Sequence, residues 1–200
     1  MLPDRKQTRR RQIEDVAYAV LAERGFTSTS MLEIAKRARA SNGTLYQWYG
    51  DKLGLFASMI EANRAGAVER LQASIAGHSL AEDLMGFGAM LLHTILSDRA
   101  ILLNRAAAAD ASGQLSAVLR VHGRASVLSA LERRLEKEPL PPAFSDPGDA
   151  AECFIALLLG DRQVRRMHGG LAEPDLETCQ EWAAQAVRRF LVLWSADSAG

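Results

Sequence analysis

Two cysteines in 200 residues, Cys153 and Cys179, are too few for a disulfide framework and point to a cytoplasmic location. The four histidines are scattered at positions 78, 93, 122 and 168, and no pair has the spacing of metal ligands, so no metal site is expected. The longest apolar run, Cys153 to Leu159, is far too short to cross a bilayer. The N-terminus is basic but carries no continuous apolar stretch, and no secretory signal is expected there. There is no nucleophile elbow, no glycine-rich phosphate loop and no paired carboxylates in one expected cleft, so neither an enzyme nor a cofactor is expected. No alternating pattern marks a strand. What remains is a chain with 48% hydrophobic residues, enough to bury a real core in one or two domains.

Net charge is also absent overall, but its distribution is uneven. Residues 1–64 carry eleven Lys and Arg against seven Asp and Glu, a net of +4; residues 65–200 carry thirteen against seventeen, a net of −4. That division suits a nucleic-acid-facing module joined to a neutral-to-acidic one.

The stretch from Ser30 to Phe56 is the most informative. Ser30 and Glu33 have the spacing of a capping box. Leu32, Ile34, Ala35 and Ala38 give a small apolar face over two turns. Ser41 is the next N-cap candidate, so Ala38, Arg39 and Ala40 must make a tight turn between two steeply crossed helices. In the helix 41–48, Leu45 faces inward, whereas Asn42, Thr44, Tyr46, Gln47 and Trp48 mostly do not. A short helix with several outward groups able to hydrogen-bond or stack is poor core material. It suits a major groove, which is about 12 Å wide and admits one helix.

The flanks agree. Arg5, Lys6, Arg9, Arg10 and Arg11 form a basic arm suited to phosphate contact. Ile13, Val16, Ala17, Val20 and Leu21 make an amphipathic stripe for the first helix. Gly25 is its expected stop, and Phe26 an apolar plug. Asp51 is expected to cap the fourth helix. Lys52 in that helix's first turn opposes the helix dipole, which favours a phosphate partner.

The remainder reads as helix almost throughout. A fourth helix is expected over about residues 51–76, with Phe56, Met59, Ile60, Ala67, Leu71 and Ile75 along one side. Gly77-His78-Ser79 should end it. Further helices are expected over about 80–97, 98–111, 114–137, 148–168 and 174–195, about nine in all. Pro139, Pro141, Pro142 and Pro147 impose a loop before the eighth. The wide apolar faces of the last two helices suit either internal packing or a four-helix interface with a second copy.

Residues 9–57 resemble, almost position by position, the DNA-binding segment of the TetR family of bacterial transcription regulators. Phe154-Ile155-Ala156-Leu157-Leu158-Leu159-Gly160-Asp161 and the Phe190-containing last helix are similar to the C-terminal half of such regulators, in particular the AefR-like subgroup. The resemblance implies an all-α fold in two domains. A three-helix helix-turn-helix DNA-binding domain would occupy 1–52, and a helical-bundle ligand-binding and dimerisation domain 53–200. It implies that Asn42, Gly43, Thr44 and Gln47 approach bases or the adjacent backbone. Tyr46, Trp48 and Lys52 would hold phosphates, and Thr29 and Ser30 would touch the other wall of the groove. Arg9 and Arg10 of the basic arm join them as DNA contacts. Gln47 is the expected direct reader, since its amide can pair bidentately with adenine. It further implies a homodimer on a palindromic operator, joined through Phe154, Leu158, Ala183, Val187, Phe190 and Trp194.

The chain departs from the family pattern at two places. Arg39 stands where the turn usually has glycine; if it keeps a left-handed backbone, it costs roughly 1 kcal/mol. Tyr49 replaces a common phenylalanine, and its hydroxyl needs a partner if buried. As input, the resemblance implies a cavity for a small apolar or amphipathic effector. Met59, Phe87, Met90, His93, Leu102, Leu119, His122 and Phe154 are the candidate lining, each with core packing as its alternative. The expected function is that of a ligand-responsive transcriptional regulator, a repressor released from DNA by its effector.

Overall fold

The computed structural model describes residues 5–73 and 79–195, with side chains described outside 64–73. Every regular element among the described residues is helical. In chain order these are α1 (Arg5–Ser28), α2 (Met31–Arg37), α3 (Asn42–Tyr49), α4 (Lys52–Ala73), α5 (Leu80–Ile95), α6 (Asp98–Ala109), α7 (Gln114–Leu119), a π-helical segment (Arg120–Ala125), α8 (Ser126–Leu135), α9 (Pro147–Leu159), α10 (Arg162–Met167) and α11 (Leu176–Trp194). No single helix among them is long and apolar enough to cross a membrane.

The chain divides into two compact units. The first comprises Met1–Ala62 and Leu102–His122, the second Asn63–Ile101 and Gly123–Gly200. In the first, the expected α1 stripe is buried: Ile13, Ala17, Val20 and Leu21 meet Ile34, Leu45, Leu55 and Phe56 in one core. Full burial of a residue such as Leu45 contributes about 2 kcal/mol. Gly25 leaves helical geometry at φ 71°, ψ 172°. That break turns Phe26 into the core, where its ring meets Phe56 edge-on at 5.2 Å between centroids.

The second unit is built on a different core. Phe87 of α5, Phe154 of α9 and Phe190 of α11 are all buried in it. α5 approaches closely at Gly88, where an added Cβ would stand 3.1 Å from Leu158 Cδ1 and 3.2 Å from Ala183 Cβ. α5, α9 and α11 each start on a short-range polar cap, where a side-chain oxygen takes one of the helix's unpaired amides. Ser79 and Glu82 form a full capping box on α5. Asp146 caps α9 ahead of Pro147 at its first position, and Asp175 caps α11. Two arginines are buried as well. Arg134 Nε donates to Asp83 Oδ2 at 2.5 Å. Arg166 donates to Leu96 O at 2.8 Å and to Asp98 Oδ1 at 2.6 Å.

Several expectations need correction. The helix expected over 114–137 is interrupted by the π-helical segment at 120–125. The helix expected over 148–168 breaks at Gly160, whose φ of 47° no helix accommodates, and resumes as α10. α6 is capped by Ser97, whose hydroxyl accepts from Ala100 N, rather than by Asp98. In α2 the inward stripe is Met31, Ile34, Ala35 and Ala38, while Leu32 is 66% exposed. The basic arm is helical from Arg5 onward, as the first turns of α1. The placements expected for Ala67, Leu71, Ile75 and the Gly77-His78 break lie outside the described residues.

Candidate nucleic-acid interface

The interface is built on α2, the turn after it, and α3. Ser30 starts α2 with its hydroxyl accepting from Glu33 N at 3.2 Å. The reciprocal half of the expected capping box is not made. Glu33 instead accepts from Arg37 Nε at 2.7 Å and lies 3.5 Å from Arg24, and the Arg37 pairing is the main reason its carboxyl is held below the usual range. α2 ends in a Schellman motif: Ala40 N donates to Ala35 O at 2.9 Å and Arg39 N to Lys36 O at 3.2 Å. That motif needs a left-handed residue at its centre, and Arg39 occupies it with φ 50°. Arg39 is the non-glycine residue with positive φ among the described residues. The strain expected from the sequence is present, at about 1 kcal/mol.

Ser41 then caps α3, accepting from Thr44 N at 2.9 Å and pairing with the Thr44 hydroxyl at 2.7 Å. Leu45 and Tyr49 anchor α3 in the core. This leaves Asn42, Gly43, Tyr46 and Gln47 exposed on one end and face, with Tyr46 half-exposed at 50%. Gly50 ends α3 at φ 78°. Asp51 caps α4 as expected, accepting from Gly54 N at 2.7 Å. Gly54 admits no side chain, because a Cβ there would lie 1.9 Å from Tyr49 O.

The cations expected on phosphates make contacts within the protein. Arg9 Nη2 donates to Ala38 O at 2.8 Å and Arg39 O at 2.7 Å, and its Nη1 to Gln12 Oε1 at 2.9 Å. Arg10 Nη2 lies 3.5 Å from Trp48 O, with its guanidinium 5.8 Å from the Tyr49 ring centroid. Lys52 Nζ donates to Phe26 O at 2.9 Å and sits 4.2 Å over the Phe26 ring. Burial lowers the Lys52 ammonium from its ordinary value, with Asp110 opposing. Each of the three thus ends on carbonyls at a helix C-terminus, where the helix dipole favours a cation. Lys52 therefore has a structural purpose that its sequence position did not reveal.

Thr29 needs a plain correction as a groove contact. It is 2% exposed, and its hydroxyl donates to Gly25 O at 2.7 Å. Trp48 is half-buried, with Lys6 Nζ 6.0 Å from its ring centroid. Tyr49 is buried, and its hydroxyl has no hydrogen-bond partner among the described residues.

The candidate effector residues divide between the units. Met59, Leu102, Leu119 and His122 belong to the first, and Phe87, Met90, His93 and Phe154 to the second. Met59, Phe87 and Phe154 are fully buried core residues, Met90, Leu102 and Leu119 are half-buried, and His93 is exposed. His122 is not a core histidine: it lies at the surface with Nδ1 2.7 Å from Glu61 Oε1. The residues expected at a dimer interface are also displaced. Phe154, Leu158, Ala183, Val187 and Phe190 are buried in the protomer's own core. Trp194 stacks beside Phe190 and Phe144 at 5.4 and 5.8 Å. The stripe of Phe154, Leu158, Ala183, Val187 and Phe190 that looked intermolecular packs within the protomer, where α11 meets α5 and α9, while Trp194 is only partly buried at its edge.

The family model described as bacterial regulatory proteins, tetR family, matches residues 13–59. A second, described as the C-terminal domain of AefR-like transcriptional repressors, matches residues 82–196. The chain belongs to the TetR family of transcriptional regulators. As a TetR-family regulator it is similar to UidR of Escherichia coli (strain K12), at 28% identity over 114 residues, 57% of this chain and 58% of that one. Curated relatives are matched over 22% to 58% of their own length. Among solved structures, a TetR-family regulator from Mesorhizobium loti MAFF303099 has a TM-score of 0.72 at 23% identity, covering 95% of this chain and 98% of that one. The flavonoid-responsive regulator FrrA has a TM-score of 0.65 at 27% identity, covering 92% and 95%.

Proposed function

We propose that this TetR-family regulator binds a palindromic operator as a homodimer and releases it on binding a small apolar or amphipathic effector, which makes it a repressor acting in the cytoplasm. The observation that carries the reading is α3. It is capped at one end, anchored by Leu45 and Tyr49, and presents Asn42, Gly43, Tyr46 and Gln47 outward. Gln47 and Asn42 would read base edges, and Tyr46 and the hydroxyl-rich starts of α2 and α3 would fix position on the backbone. In this reading residues 1–52 carry the DNA interface and 53–200 the effector and dimer functions.

The dimer contact would use surface that the protomer leaves open: Ala156 on α9, and Val192 at 67% and Leu193 at 39% exposure on α11. An apolar effector is supported by the character of the second core and by the name of FrrA, which responds to a flavonoid. Release follows if the effector prefers the conformer that misaligns the two recognition helices. Operator DNA must then weaken effector binding by the same factor.

Fluorescence anisotropy against DNA from upstream of the chain's own gene, beside a scrambled duplex at fixed salt, tests the reading. A preference of about a thousandfold or more establishes sequence-specific recognition. Equal, weak binding to that DNA and to fragments selected genome-wide would overturn it.

A further inference from the structure

We propose that Arg9 is a positioning residue for DNA reading: it sets the angle of α3 by holding the strained turn before it. This rests on the DNA-binding function above. Arg39 sits in the left-handed region that glycine favours, at φ 50°. Only Ala40 separates it from Ser41, the cap of α3. A rotation at Arg39 therefore swings α3 as a body, and with it Asn42 and Gln47. The turn's own hydrogen bonds fix its amides, but Ala38 O and Arg39 O point out of the motif. Both are taken by one nitrogen of Arg9, at 2.8 and 2.7 Å, while its other terminal nitrogen is held by Gln12 at 2.9 Å. Arg9 lies one turn before Ile13, a fully buried core residue of α1. The guanidinium thus ties the strained residue to the body of the unit. A guanidinium spread over two carbonyls and an amide is not poised as a phosphate clamp, and the planar fork that makes these three contacts is not reproduced by lysine.

The test uses the full chain, a duplex enriched from a random pool by the wild type, and a scrambled duplex of equal composition. Wild-type preference for the enriched duplex is the precondition; its absence would defeat the DNA-binding function itself rather than the role of Arg9. With that preference in hand, Arg9→Lys keeps the charge that a phosphate needs. It is expected to hold the scrambled duplex within about twofold of wild type while losing about tenfold in preference, the worth of one base contact. The slope of log affinity against log salt should not change. Arg39→Gly added to Arg9→Lys should restore the preference, because glycine holds the turn without help. Hydrogen exchange at the Ala40 amide, measured where the native circular dichroism is intact, should quicken in Arg9→Lys and recover in the double variant. The proposal is overturned if Arg9→Lys matches wild type on both duplexes while Arg9→Gln weakens both alike with a salt slope about 0.9 shallower, the signature of one lost phosphate contact. Unchanged exchange at Ala40 would overturn it equally.

Discussion

Both units of this chain use basic side chains as long-range ties, but the ties end on different groups: carboxylates at the buried arginines of the second unit, carbonyls at Arg9 and Lys52 of the first. In the second unit Arg134 meets Asp83 and Glu138, and Arg166 meets Asp98 besides two carbonyls. Charge is neutralised there by charge. In the first unit Arg9 and Lys52 meet backbone carbonyls, which are neutral. Those cations complete helix ends, within a stretch, residues 1–64, whose formal charge is +4. A basic residue can therefore shape an anion-attracting surface without itself clasping an anion.

The largest expected effect lies in the second unit. Arg134→Met should cost about 3–5 kcal/mol in urea unfolding, because the carboxylate of Asp83, 1% exposed, would lose the charge-assisted bond from Arg134. A loss under about 1 kcal/mol would mean that the pair is no more than a surface ion pair in effect. Next comes Gly54→Ala in the first unit. Its Cβ would meet Tyr49 O at 1.9 Å, a backbone atom that can yield only by displacing the end of α3. A loss of about 2–3 kcal/mol in urea unfolding and weaker duplex binding are expected. Gly88→Ala is the milder counterpart in the other unit, since its nearest neighbours at 3.1 and 3.2 Å are side-chain atoms and alanine regains about 0.5–1 kcal/mol of helix propensity. Equal losses for the two glycines would erase that distinction.

How much of this was legible in the sequence follows the range of each interaction. Signals contained within a few residues were readable: the Ser30 and Ser41 caps, the Gly25 stop with Phe26 turned inward, the Asp51 cap and the left-handed Arg39. The family resemblance was legible on the same short-range pattern. Interactions across long separations were not. Arg9 and the turn it holds are 29 and 30 residues apart, and Arg134 and Asp83 are 51 apart. Periodicity shows that a helix has an apolar side without naming what covers it. For that reason Phe154, Ala183 and Phe190 read equally as an interface and as the core they form. The effector residues are not separable from core in the sequence for a related cause: Met and Phe at helical spacing carry no signal that separates a cavity wall from a filled interior.

The smallest expected effect is a gain. Tyr49 stands at the end of α3, 8% exposed, with a hydroxyl that finds no hydrogen-bond partner among the described residues. Tyr49→Phe removes that unsatisfied group and should stabilise the chain by about 1 kcal/mol. Burial, with the negative charge of Glu14 adding to it and Arg10 opposing, pushes the Tyr49 phenol from 10.0 up to about 12. The folded state therefore resists ionisation that the unfolded chain accepts. Stability from this source is intact below pH 10 and drains between 10 and about 12. Titration of phenolate absorbance should show one of the three tyrosines ionising late, and that late step should vanish in Tyr49→Phe, whose stability should fall less steeply over the same interval. A late step that persists in the variant would overturn its assignment to Tyr49.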